Sequence, residues 1–147
     1  MKPVSHTILS GVTSAAFAYA THAWWATIVC FLSGIFIDLD HFLDFALHKK
    51  KIPFRYKELF AFCADEKDGR MYLILHSYEL FALYWLAVTF YQADAVWIGL
   101  GVGVTIHMIA DQVANPLKPL AYFLSYRIKQ GFEKRNIFRP EYYAKMR

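Results

Sequence analysis

The amino-acid sequence predicts an all-α protein: a helical membrane bundle of about four short transmembrane helices with interfacial helical segments, in one domain over residues 1–147. Three observations predict this class. The chain is 57% hydrophobic and only 19% charged, against roughly 45–50% apolar and 25% charged residues in typical soluble domains. Four apolar stretches follow one another along it. The Lys and Arg residues lie outside these stretches.

The first two helices are predicted from residues 7–37, which include no Lys, Arg, Asp or Glu. One straight helix over this stretch would be about 46 Å long, whereas a bilayer core is about 30 Å thick. The sequence ATHAWW, residues 20–25, is the internal break. We therefore predict a hairpin of two helices, near 4–20 and 25–38.

A cleaved signal peptide is the alternative interpretation of the N-terminus. Lys2 would be its basic region, and Ala18-Tyr19-Ala20 resembles an A-x-A cleavage site. Against this, Thr, Ser and Gly dilute the apolar run TILSGVTSAAF, and a second apolar run follows at once. Cleavage would remove His6.

Two further helices are predicted at 71–91 and 95–110. Because a transmembrane helix usually needs about 20 residues, both must pack tightly against their neighbours. The third stretch is interrupted by HSYE, which places His76 and Glu79 three residues apart on one helical face. In the fourth, Gly99 and Gly103 of GLGVG lack the spacing of a nucleotide-binding motif. They predict a small-residue face for close helix packing.

The distribution of charge predicts the orientation. All sixteen Lys and Arg residues fall in 1–6, in a basic loop at about 48–70 or in a basic tail at about 118–147. The short turns at 21–25 and 91–94 include none. With four spans, the positive-inside rule predicts a bacterial-type inner membrane protein with both termini in the cytoplasm. A predicted aromatic belt at the opposite interface consists of Trp24, Trp25, Tyr91 and Trp97.

The basic loop and the basic tail interleave Tyr and Phe with Lys and Arg. This composition suits contact with anionic lipids, so membrane lipids are expected partners; a solvated charged face is the alternative. The net charge of +4 does not indicate nucleic acid, because the sequence has no regular basic face and no RNP or zinc-finger spacing. Cys30 and Cys63 lack a CxxC pattern and are predicted to be free thiols.

Polar residues of the metal-ligand type interrupt or end the apolar stretches. In an up-down-up-down bundle the start of each odd helix meets the end of each even one, so these residues are predicted to converge at the basic end. His107 and Asp111, four apart, share a helical face. The set comprises His6, Asp38, Asp40, His41, His76, Glu79, His107 and Asp111.

Imidazole and carboxylate groups are the ligands of zinc, manganese and iron, and a mixed set with an open position suits catalysis. Ionisable groups inside a membrane are costly, which argues that the cluster has a purpose. A single His in an apolar span is more often a hydrogen-bonded core residue. Four such places at one depth favour a metal site.

The motifs together resemble the YdjM-type membrane-bound metal-dependent hydrolases. They are DLDH after the first helical pair, HS at the start of the next helix, HxxxD near the end of the fourth, and a His near the N-terminus. The resemblance covers most of residues 1–125, with Ile37 where the family often has Pro. That family is similar to the all-helical, zinc-dependent phospholipase C enzymes.

The resemblance implies hydrolysis of a phosphoester or other ester, in a lipid-like or small-molecule substrate, by a metal-activated water. Zinc is the first expectation, and manganese and iron are alternatives. Asp38 or Glu79 could accept the proton of the water, and Ser77 or His41 could orient the substrate. The implied ligands are His6, Asp40, His76, His107 and Asp111, with Asp38 and His41 as ligands or as their supporting neighbours.

Two other functions fit the same residues. The first is a membrane carrier of metal ions or protons, in which the ligands bind transiently along a path. The second is a haem-binding bundle with His76 and His107 as axial ligands. The neighbouring Asp residues count against haem, because haem iron needs no carboxylate ligand.

Overall fold

The computed structural model describes residues 3–50, 56–65 and 69–146, and over these residues the all-α prediction is confirmed. The predictions for Lys2 and for part of the basic loop, residues 51–55 and 66–68, lie outside the described residues. The helices are α1 (Pro3–Thr21), α2 (Trp24–Phe36), α3 (Leu39–Lys49), α4 (Tyr56–Asp65), α5 (Tyr78–Phe90), α6 (Ala95–Ala114), α7 (Leu124–Lys129), α8 (Lys134–Ile137) and α9 (Pro140–Tyr143).

The chain divides into two compact units. Unit 1 consists of Met1–Ile37 and Glu79–Asn115, and unit 2 of Asp38–Tyr78 and Pro116–Arg147. Unit 1 therefore includes α1, α2, α6 and nearly all of α5, while unit 2 includes α3, α4 and the three short C-terminal helices. The prediction of one domain over residues 1–147 stays a prediction.

In unit 1, α1, α2 and α6 pack against one another, and the predicted hairpin of α1 and α2 is confirmed. His22 turns the chain between them with a positive φ of 53°. Glycines allow the close approach of α6 to α2. A Cβ atom at Gly99 would lie 2.3 Å from the carbonyl oxygen of Ala26, and one at Gly103 would lie 2.2 Å from that of Cys30. The predicted packing face is thus confirmed.

The burial of α1 is the reverse of that of a soluble amphipathic helix. His6, Ser10 and Ser14, four residues apart, are buried, and the Ser14 hydroxyl donates to the Ser10 carbonyl oxygen at 2.7 Å. The large apolar side chains face outwards, with exposed fractions of 64–69% at Val4, Ile8 and Val12. Polar groups thus line the interior of unit 1, and apolar groups its surface.

Helix α5 begins at Tyr78, so the prediction that a helix starts near Met71 is wrong. His76 precedes the helix, and the predicted shared helical face of His76 and Glu79 is therefore also wrong. The physical reason is that buried charged side chains bind the peptide groups of residues 72–76, as described below. Within unit 1, the Tyr84 hydroxyl donates to the Trp97 carbonyl oxygen at 2.6 Å and ties α5 to α6.

In unit 2, helix α3 begins at Leu39. The sequence predicted only that a helix ends near residue 38. The neighbour of α3 is α4, and Phe45, Leu59 and Phe62 form a buried apolar cluster between the two helices. Lys134, itself buried, donates to the Phe62 carbonyl oxygen at 2.6 Å and lies over the Phe62 ring. The C-terminal segment is thereby fastened to α4.

Two helices are long and apolar enough to cross a membrane by length and composition. They are Trp24–Lys49, counted as one span through the turn at 37–38, and Ala95–Ala114; the apolar helix Tyr78–Phe90 is shorter. Ile37 and Asp38 in that turn keep right-handed helical backbone angles. A bundle of four spanning helices stays a prediction.

Candidate metal centre

The first cluster of metal-ligand side chains lies inside unit 1, where two histidines face one carboxylate. His6 Nε2 is 3.0 Å from Asp111 Oδ1, and His107 Nε2 is 3.5 Å from Asp111 Oδ2. The two imidazole rings are stacked, with centroids 3.9 Å apart. All three side chains are buried.

Helix geometry accounts for this arrangement. His107 and Asp111 lie four residues apart on the buried face of α6, and His6 lies in the first turns of α1 on the face that also buries Ser10. The predicted shared helical face of His107 and Asp111 is confirmed. Asn115 follows on the same helix as its C-terminal cap.

A backbone carbonyl sets the tautomer of His107. Its Nδ1 lies 2.8 Å from the Gly34 carbonyl oxygen, and because that oxygen can only accept, Nδ1 carries the hydrogen. The Nε2 lone pair of a neutral ring then faces Asp111, as in metal-binding histidines. A larger residue than Gly34 would disturb the packing here, since a Cβ atom would lie 3.3 Å from the Gly103 carbonyl oxygen and 2.4 Å from Ser10 Oγ.

The second cluster lies inside unit 2 and has the same composition. Asp38 Oδ1 lies 3.7 Å from His41 Nε2 and 3.7 Å from His76 Nε2. His76 is fully buried, while Asp38 and His41 are partly exposed. Asp38 and His41 are three residues apart at the start of α3, and His76 comes from the segment before α5. This cluster therefore depends on how residues 72–76 are held.

Asp40 orients His76 from the other side of the ring. Asp40 Oδ2 lies 3.3 Å from His76 Nδ1 and accepts hydrogen bonds from the backbone N–H groups of Leu75 at 2.7 Å and His76 at 3.3 Å. An Nδ1–H bonded to a carboxylate leaves the Nε2 of His76 facing Asp38, and a carboxylate behind the imidazole is common in metal sites.

The distances between imidazole nitrogens and carboxylate oxygens in both clusters are close to those between two ligands of one metal ion. Ligand atoms at about 2.1 Å from a tetrahedral ion lie about 3.4 Å apart, near the observed 3.0–3.7 Å. Within the part of the chain that the structure describes, Asp40 Oδ1 and His6 Nδ1 are buried without a hydrogen-bond partner. The side chains that could hold a metal ion include Asp38 and His76 of unit 2 and His107 and Asp111 of unit 1.

Cys63 lies beside His41 of the second cluster. Its Sγ lies 3.5 Å from His41 Nδ1. Burial raises the pKa of the Cys63 thiol to about 12, although the Lys134 charge opposes the shift. The thiol therefore stays protonated at neutral pH beside the His41 imidazole. Both cysteines are free, as predicted.

The remaining predicted residues lie beside these clusters. Ser77 is fully buried directly after His76, and Glu79 lies half-buried in the first turn of α5. Their predicted roles in catalysis stay predictions, as does the convergence of all the polar residues at one level.

Sequence reasoning missed buried charges that include Lys134 and, near His76, Asp44 and Arg127. Asp44 lies four residues after Asp40, which places both carboxylates on one face of α3. Arg127 gave no local signal in the basic tail. Both bind the backbone segment that carries His76.

No family model, curated protein or solved structure matches this chain. The resemblance to the YdjM-type hydrolases therefore stays a prediction.

Proposed function

We propose that this protein is a membrane-bound, metal-dependent hydrolase of phosphoesters or other esters in lipid-like substrates. The observation that carries the proposal is the meeting of His6 and His107 with Asp111 inside unit 1. Two histidines and one carboxylate leave coordination positions open for water and substrate. The cluster of Asp38, His41 and His76 repeats this composition in unit 2.

Membrane insertion is supported by the apolar surface of the helices. Only 28% and 33% of the most apolar windows of the two candidate spans are buried, whereas the core helix of a soluble protein is mostly buried. On α3, Leu39, Leu43 and Leu47 are exposed while Asp40 and Asp44 are buried. Such surfaces suit lipid, and the predicted aromatic belt residues are exposed too: Trp24, Trp25, Tyr91 and Trp97.

The proposed ligands are His6, His107 and Asp111 in unit 1 and Asp38, His41 and His76 in unit 2. Asp40 was predicted as a ligand. We propose that its Oδ2 instead orients His76, because that oxygen already accepts backbone and imidazole hydrogens. A zinc ion, or manganese or iron, would polarise the ester oxygen and lower the pKa of a bound water to about 7.

The residues of the chain then have separate tasks. The Gly34 carbonyl and the Asp40 carboxylate keep His107 and His76 in the tautomers that bind metal. In unit 1, Glu79 is the proposed acceptor of a proton from an attacking water, and in unit 2, Ser77 is the proposed residue that orients a substrate. The site lies on the cytoplasmic side of an inner membrane, where an amphiphilic substrate enters from the lipid leaflet.

The proposal is tested by turnover with matched variants. The purified protein is stripped of metal, reloaded with zinc, manganese or iron, and assayed on phosphodiesters and carboxylic esters. We expect metal-dependent turnover that falls at least a hundredfold in His107→Ala and is unchanged in His22→Ala, which alters an exposed histidine in the α1–α2 turn.

Other outcomes point to the alternatives. Turnover that survives both chelation and His107→Ala would contradict the hydrolase proposal. Full metal loading without turnover on any substrate would favour a carrier, and a haem absorbance in the purified protein would favour an electron-transfer bundle.

The role of Glu79 makes a separate prediction. Glu79→Gln removes the proton acceptor but no ligand, so we expect turnover to fall about 10²–10⁴-fold while metal content is unchanged. Metal analysis and a pH–rate profile of the same preparations check this. Undiminished turnover would assign the base to another residue.

A further inference from the structure

Residues 72–76 of unit 2 form a non-helical segment that leads into α5 and carries His76. The apolar composition of this stretch predicted a helix, yet its peptide groups bond to buried charged side chains. Leu73 has a positive φ of 40°, a backbone conformation that non-glycine residues rarely adopt. The surrounding contacts therefore determine its shape.

Two aspartates of α3 bind one side of this segment. Asp44 Oδ2 accepts from the Tyr72 backbone N–H at 2.9 Å, and Asp44 Oδ1 accepts from that of Leu73 at 3.1 Å. Asp40 Oδ2 accepts from the N–H groups of Leu75 and His76. Four backbone donors on either side of Ile74 are thus satisfied in pairs by two carboxylates, both of them buried.

Arg127 of α7 binds the carbonyl oxygens of the same segment. Its Nη1 donates to Tyr72 O at 2.5 Å and to Leu73 O at 2.6 Å, and its Nη2 donates to His76 O at 2.8 Å. The guanidinium group is almost fully buried. A rigid fork of N–H donors suits three carbonyl groups in a way that a single ammonium group does not.

The opposite charges act on the same peptide group. The peptide between Tyr72 and Leu73 donates its N–H to Asp44 and accepts through its carbonyl from Arg127. Its dipole is therefore aligned between an anion and a cation. Buried charges are costly unless they are hydrogen-bonded or paired, and these charges gain their hydrogen bonds from this one segment.

We propose that Asp44 and Arg127 are positioning residues that hold residues 72–76 so that His76 meets Asp40 and directs Nε2 towards Asp38. The part of the inference that concerns metal binding rests on the proposed function. The hold of Asp44 and Arg127 on the backbone of residues 72–76, called the clamp below, does not rest on the proposed function. Asp44 and Arg127 act through the backbone of the segment and contribute no ligand atom.

The clamp is tested first in the metal-free, full-length protein by hydrogen exchange. We expect the backbone amides of residues 72–76 to exchange at least tenfold faster in Arg127→Met and in Asp44→Asn. In the latter, the side-chain NH₂ group of asparagine would face a backbone N–H donor instead of accepting from it. Arg127→Lys should recover part of the protection. Arg135→Gln, which removes an exposed arginine of the same unit, should leave exchange unchanged.

The second readout is metal affinity, measured by titration with zinc or cobalt. We expect Arg127→Lys and Asp44→Asn to weaken it about 10–100-fold, as loss of a residue supporting a ligand commonly does. In a His76→Ala background neither variant should weaken binding further. A role in global stability alone would lower affinity equally in both backgrounds.

Two results would overturn the inference. One is unchanged hydrogen exchange at residues 72–76 in Asp44→Asn and Arg127→Lys. These two variants also test the clamp if Arg127→Met does not fold. The other is an equal loss of affinity with and without His76. A third outcome separates the two proposals. If the protein binds no metal, but the amides of residues 72–76 are protected in the wild type and lose this protection in the variants, the clamp is supported and the proposed function is rejected.

Discussion

At Asp111 a single carboxylate faces two imidazole nitrogens, and this contact follows from residue spacing. The i, i+4 relation between His107 and Asp111 was visible in the sequence because both lie on one helical stretch. The contact of Asp40 with His76 was not visible. It joins α3 to a segment 36 residues away along the chain, and no helical periodicity links them.

Asp38 and Asp40 are expected to respond differently to substitution. Asp38→Ala removes a proposed ligand, so one equivalent of bound metal should be lost. Asp40→Asn retains an acceptor oxygen near His76, so affinity should fall only about 10–100-fold. Titration of metal-free protein checks both variants. The reverse ranking would restore Asp40 to the ligand role that the sequence predicted.

Cys63 is expected to be unreactive in the folded protein. Burial raises its pKa to about 12 from 9.0, and because alkylation requires the thiolate, iodoacetamide should modify it far more slowly at pH 8 than a free thiol. Cys30 is fully buried. Both residues should react once the protein is denatured. Rapid modification of native Cys63 would show an open, ionised thiol.

At the scale of elements, hydrophobic runs located the helices of unit 1 well. α1, α2 and α6 lie where they were predicted, because uncharged stretches bounded by turns mark their ends. The start of α5 and the presence of α3 were missed. An apolar stretch has the same hydrophobic pattern whether its peptide groups bond within their own helix or bond to Asp44 and Arg127, which are distant in sequence.

The glycines of α6 make a prediction about packing. Gly99→Ala would bring a Cβ atom to 2.3 Å from the Ala26 backbone oxygen, so we expect it to lower the free energy of unfolding by about 1–3 kcal/mol. Gly11→Ala is the control, since the nearest atom, Phe31 Cε2, lies at 4.0 Å. Denaturant unfolding in detergent compares them. Equal stability of the two variants would contradict the close approach of α6 to α2.

At the scale of the whole molecule, the exposed apolar side chains and the buried polar ones are the features that a lipid solvent explains. Composition predicted this pattern because charged residues are rare within the apolar stretches. Composition does not determine the number of spanning helices, because α5 has only 13 residues. Such a helix is about 20 Å long, shorter than a bilayer core.

Membrane integration and topology are directly testable. We expect the protein to remain with the membrane fraction after alkaline carbonate extraction. Reporter tags at the C-terminus and within residues 51–55 should both report the cytoplasmic side, as the positive-inside rule requires. A tag in the turn at 91–94 should report the opposite side. Release by carbonate would reject integration, and a tag on the wrong side would reject the proposed orientation.

The most direct test of the central claim is the metal content of the purified protein by elemental analysis. We expect stoichiometric zinc, manganese or iron in the wild type and in His22→Ala. In His107→Ala, which removes an imidazole facing Asp111, the metal should be strongly reduced while circular dichroism reports an unchanged helix content. Equal metal content in all three proteins, or none in a reloaded wild type, would contradict it.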